Sequence, residues 1–69
     1  MNLQDYRRRL GWSQTELARR SGLNPTTVNK AERGEEISGN TAAKIAEAFS
    51  EALGVRIFPG DIEGLNIKV

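Results

Sequence analysis

Apolar side chains recur along this chain in short helical stripes set off by punctuation residues. Leu3, Tyr6 and Leu10 stand three and four positions apart, Leu17 and Ala18 share a face, and Val28 is followed by Ala31. A longer stripe of Ala42, Ile45, Ala46, Phe49, Ala52 and Leu53 runs unbroken to Gly54. Spacings of this kind place the apolar residues on one side of an amphipathic helix, and they predict four such helices. The caps agree with the stripes. Asn2 with Asp5 is a capping pair, and Gly11 closes a first helix over about Leu3 to Leu10. Ser13 with Glu16 reads as a capping box, so a second helix begins at Gln14. Gly22 stands where a left-handed turn residue is needed. Asn24 then offers an N-cap, and Pro25 a first helical residue with φ already set, for a third helix over Pro25 to Arg33 that stops at Gly34. Ser38 caps the fourth.

Beyond Gly54 the pattern changes. Val55-Arg56-Ile57-Phe58 alternates like a short strand, Pro59 to Glu63 opens like a short helix behind its proline, and Leu65 to Val69 alternates again. Ile57, Phe58, Ile62, Leu65, Ile67 and Val69 are too many apolar side chains for a loose tail. Segment 55–69 therefore either covers the back of the domain or forms a two-fold dimer seam. At 69 residues the chain allows one small domain, 1–69, whose core is modest and whose stability is small or shared with a second subunit. Met1 directly before the first helix reads as a natural start, while a larger protein continuing past this segment stays open as an alternative. The expected fold class is all-α: four or five compact helices with a short extended C-terminal tail.

Charge sharpens this picture. The net charge is only +1, but residues 1–33 carry seven basic side chains against three acidic ones, +4, and residues 34–69 carry three basic against six acidic, −3. A basic first half and an acidic second half suggest one face turned toward phosphates and another turned away. One charge faces the other way: Arg7 falls on the apolar stripe of the first helix, and Glu32, one turn after Val28, faces inward from the end of the third. A charge facing a core needs a partner, so a half-buried Arg7–Glu32 ion pair is expected to tie the two helices together. Trp12, in the connector between the first two helices, reads as a lid on the core, with base stacking as the lesser alternative.

The stretch Gln14 to Arg33, QTELARRSGLNPTTVNKAER, is the centre of the pattern. A small residue at Ala18 where two helices cross, a turn glycine at Gly22 and an apolar plug at Val28 are the constraints of a helix-turn-helix. The unit resembles the DNA-binding domains of the phage repressor and Cro (XRE-like) family, and flanking features, including the fourth-helix segment TAAKIAEAFSEALGV, extend the resemblance from about Leu3 to about Val55. The resemblance implies a repressor-like fold that binds double-stranded DNA as a homodimer, with the third helix in the major groove and the C-terminal region at the seam. Arginine and glutamate often pair at the matches of Arg7 and Glu32. Gln14, which on its own is equally a polar first-turn residue, becomes by resemblance a phosphate contact at the start of its helix. The matches of Pro25, Thr26, Thr27, Asn29 and Lys30 commonly read bases, those of Asn24 and Arg33 meet backbone, and that of Asn40 can touch phosphate. The residue chemistry suits this: Asn and Lys hydrogen-bond adenine and guanine edges, and Thr offers a hydroxyl or meets a thymine methyl. Two departures stand out. Pro25 has no polar side-chain atom, and the connector places Glu35 and Glu36 where relatives often carry basic residues, so that it either swings clear of the duplex or weakens nonspecific binding.

Catalysis finds no footing. With no His and no Cys, nucleophilic triads, disulfides and most metal sites are excluded, and no cofactor is expected. Ser21-Gly22 and Ser38-Gly39 are helix punctuation, and GVRIFPGDIEG lacks the spacing and lysine of a phosphate loop. No apolar run reaches the length of a membrane span or signal core, so the expected compartment is the cytoplasm. The leading expectation is a sequence-specific transcriptional regulator, a repressor acting as a homodimer. Its rival is a protein-interaction module on the same scaffold, an antitoxin or an adaptor without DNA binding of its own, favoured by the low net charge and by Glu35 and Glu36.

Overall fold

The computed structural model describes residues 1–68, so Val69, the last member of the C-terminal alternation, lies outside the described residues. Four α-helices follow in order: α1 (Leu3–Arg9), α2 (Gln14–Ser21), α3 (Pro25–Glu32) and α4 (Gly39–Leu53). A 3₁₀ turn (Pro59–Asp61) follows, and strand β1 (Glu36–Ile37) pairs in parallel with β2 (Asn66–Ile67), Glu36 beside Asn66 and Ile37 beside Ile67. The helical fold is the one the stripes predict.

Each helix starts where a side chain can take an orphan N–H. Asn2 accepts from the Asp5 amide at 2.8 Å while Asp5 accepts in return from the Asn2 amide at 3.1 Å. Ser13, Asn24 and Ser38 accept from the amides of Glu16, Thr27 and Thr41. Only half of the expected Ser13–Glu16 box forms, because the Glu16 carboxylate turns to Arg19 and Arg20 instead. Stops are equally local: α2 ends on Gly22 at φ +74°, with the Leu23 amide donating to the Ala18 carbonyl at 2.9 Å. The first and third helices each finish one residue short of the expected bound, with Leu10 and Arg33 as their C-caps.

The core lies between α4 and the other helices. Phe49, Leu17, Ile45 and Val28 are fully buried. Ala18 is buried as well, which lets the helices cross closely over it. Tyr6 and Trp12 both stack on Phe49, with ring centroids 5.2 and 6.1 Å away, so Trp12 closes one end of the core. On α4 the stripe drifts: Ala48 is buried and Ala52, placed inward by the spacing, is exposed.

Segment 55–68 departs furthest from expectation. Val55 to Phe58 forms no strand. The Ser50 hydroxyl, on α4, accepts from the Ile57 amide at 2.8 Å while it donates to the Ala46 carbonyl at 2.8 Å, so the Ile57 N–H finds a side-chain partner and needs no ladder. Ile57 and Ile62 are buried, and Leu65 and Ile67 pack against the core, whereas Val55 (58 %) and Phe58 (61 %) stay exposed. The tail then ties both ends of the fold. The Glu63 amide donates to the Met1 carbonyl at 3.1 Å, and the Lys68 amide donates to the Ile37 carbonyl at 2.8 Å.

Candidate nucleic-acid interface

The inner side of α3 is fixed by packing and by one ion pair. Val28 and Ala31 are buried. Beside them Arg7 Nε donates to Glu32 Oε2 at 2.7 Å, Nη2 donates to Oε1 at 3.3 Å, and Nη1 donates to the Trp12 carbonyl at 2.8 Å. Both side chains are largely covered, with 14 % of Arg7 and 9 % of Glu32 exposed. The fork of hydrogen bonds fixes the axis of α3 against α1 and the α1–α2 connector.

The outer side is open. Pro25, Thr26, Lys30 and Arg33 are exposed, and Thr27 and Asn29 are half-buried. Asn24 is also exposed, but its Oδ1 is engaged as the cap, accepting from the Thr27 amide at 2.9 Å and from the Thr27 hydroxyl at 3.1 Å. Gln14, the first residue of α2, meets Asn29: Nδ2 of Asn29 donates to Gln14 Oε1 at 3.4 Å. That contact went unforeseen in the sequence, because fifteen residues separate the two and only the angle between α2 and α3 brings them together. It leaves Asn29 Oδ1 and the second Nδ2 hydrogen free, the acceptor–donor pattern that matches an adenine edge. Asn40 is exposed in the first turn of α4, and no hydrogen bond or ion pair joins it to α3 among the described residues.

Charges on this half of the molecule are unevenly occupied. Arg19 and Arg20 share the Glu16 carboxylate, at 2.5 and 2.6 Å. Hydrogen bonds from Arg20, and then Arg19, hold that carboxyl below its ordinary range. The Arg20 guanidinium also lies 5.0 Å from the Trp12 ring centroid, so Trp12 is occupied by Phe49 and Arg20. Arg33 pairs with Glu35. Among the described residues Arg8, Arg9 and Lys30 have no ion-pair partner, and of these Lys30 alone stands on α3. No cluster of carboxylates that could hold a metal occurs among the described residues, and no helix is long and apolar enough to cross a membrane.

Two short helices joined at Gly22, the second packed through one side and bare on the other, define a helix-turn-helix protein. A family model described as helix-turn-helix matches residues 3–57, and the chain belongs to that family, the Cro/C1-type (XRE) group of DNA-binding transcription regulators. No curated protein and no solved structure matches the chain.

Proposed function

We propose that this protein binds double-stranded DNA sequence-specifically, with the outer side of α3 in the major groove, and represses transcription as a homodimer. The observation that carries the reading is the state of that surface: Thr26 and Lys30 are exposed, and Asn29 is held from one side by Gln14. In this arrangement Thr26, Thr27, Asn29 and Lys30 meet base edges, with Pro25 adding an apolar contact. The start of α2 at the half-buried Gln14 and the side chains of Asn24, Arg33 and Asn40 meet phosphates. Phosphate contacts set the register on the duplex and the base contacts set the sequence.

Residues 1–69 act as one domain in this reading, and a second copy completes the operator complex. With Ile57 and Ile62 buried, Val55 and Phe58 are the exposed large apolar side chains among the described residues of the C-terminal segment. They are the natural centre of a two-fold seam, which would present two copies of α3 about 34 Å apart, one helical turn of DNA. A domain whose longest Cα extent is 28 Å lets two copies fit side by side at that spacing. A dimer seated over a promoter blocks other proteins by occupancy alone.

Selection of bound sequences from random duplex DNA tests this directly. The reading expects enrichment of a sequence with two related half-sites and a binding constant that falls steeply with salt. A flat salt response with no enriched sequence would move the protein to the adaptor class.

A further inference from the structure

We propose that Glu35 is an intramolecular stand-in for a DNA phosphate: by holding the Arg33 guanidinium it lowers affinity for duplex DNA of every sequence and leaves more of the discrimination to the outer side of α3. The proposal rests on the DNA-binding reading above.

The placement of Glu35 is built into the end of α3. Gly34, at φ +80°, reverses the chain. The Gly34 amide donates to the Ala31 carbonyl at 3.2 Å and the Glu35 amide donates to the Lys30 carbonyl at 3.0 Å. This reversal lays the residue after the glycine back against the residue before it, and the Arg33 guanidinium pairs with the Glu35 carboxylate. The far side of the connector is held too. Asn66 Nδ2 donates to the Gly34 carbonyl at 3.4 Å, and Glu36 and Ile37 are paired with Asn66 and Ile67. Glu35 therefore stands on backbone fixed from both directions. Glu36, its neighbour, is exposed and has no cation within ion-pair distance among the described residues.

A carboxylate and a phosphate present equivalent acceptor oxygens to one guanidinium. For Arg33 to meet the DNA backbone, a phosphate oxygen must displace Glu35 and leave that carboxylate facing a polyanion. No base edge takes part, so the penalty is the same for every sequence. With Arg33 60 % and Glu35 45 % exposed, the pair is weak and easily opened. Its effect on Kd is about two- to fivefold.

The test measures Kd for a random-sequence duplex at low salt with the wild type, Glu35→Gln, Glu36→Gln, Arg33→Ala and the two glutamine variants combined with Arg33→Ala. Glu36→Gln removes the same charge one residue away without freeing an arginine. The proposal expects Glu35→Gln to bind about two- to fivefold more tightly than Glu36→Gln, and expects that excess to vanish in the Arg33→Ala background. Equal gains from the two glutamine variants in both backgrounds would mean plain repulsion and overturn the proposal while leaving the DNA-binding reading intact. Failure of every variant to bind would overturn both.

Discussion

Two arginine–glutamate pairs meet at the last turn of α3, and they do opposite things. Glu32 turns inward and is held by Arg7 with 9 % of its side chain exposed, whereas its neighbour Arg33 turns outward to Glu35 with 60 % exposed. The chemistry is the same; the surroundings differ. In the covered pair, loss of one partner strands a charge that is largely shielded from water. In the open pair, water and salt replace either partner at little cost, so its two groups remain available to a ligand. One helix end thus separates a side that fixes the helix from a side that can exchange partners.

Breaking the inner pair should have the largest effect. Glu32→Ala leaves Arg7 without its carboxylate and is expected to cost about 3–5 kcal/mol. In a domain of this size that lowers the Tm by more than about 12 °C, readable by circular dichroism. A Tm within a few degrees of wild type would deny the inner pair its structural role.

On the outer side the effects should fall on binding. Lys30→Ala is expected to leave stability within about 0.5 kcal/mol and to cost about 1–3 kcal/mol on the selected duplex, relaxing preference at particular bases. Arg33→Ala should instead change affinity for all duplexes alike. Competition titrations with single-base variants of the duplex separate the two, and identical profiles for both substitutions would refute the division of roles.

The turn between α2 and α3 should respond with a smaller change, in stability first. A Cβ at Gly22 would meet open space, so Gly22→Ala is strained only by its φ of +74°. The expected cost is about 1–2 kcal/mol, measured by urea denaturation, with no change in the m-value.

The smallest effect should come from acid. Because Arg20 and Arg19 hold the Glu16 carboxyl below its ordinary range, its contribution is present above the unfolded-state value and is lost as the pH falls through the lowered one. Stability should therefore decline below about pH 4.3, and Glu16→Gln should flatten a small part of that decline. An unchanged pH profile in the variant would show that the Arg19–Glu16–Arg20 cluster adds nothing measurable.

The same contrast between local and distant interactions explains what the sequence makes legible. The caps Asn2, Ser13, Asn24 and Ser38 act within three residues, and Gly22 and Gly34 act on their own backbone, so the helices could be read with little ambiguity. Positions on α3 could be sorted into inner and outer sides by period alone, as Val28 and Ala31 show. Contacts that depend on a backbone pairing or on a crossing angle could not. Ile37 beside Ile67 is a two-residue pairing with no periodic signature of its own. The alternation of Val55 to Phe58 misled because Ser50 accepts from the Ile57 amide and Asp61 accepts from the Phe58 amide at 2.9 Å. The Gln14–Asn29 hydrogen bond likewise depends on a crossing angle that no local pattern encodes.

Amide chemical-shift mapping during titration with the selected duplex tests the central claim most directly. A rigid inner side presenting a free outer side predicts early, large shifts at Gln14, Thr26, Thr27, Asn29 and Lys30, with Val28 and Ala31 moving little. Shifts concentrated at Val55 to Phe58 while the amides of α3 stay in place would contradict it.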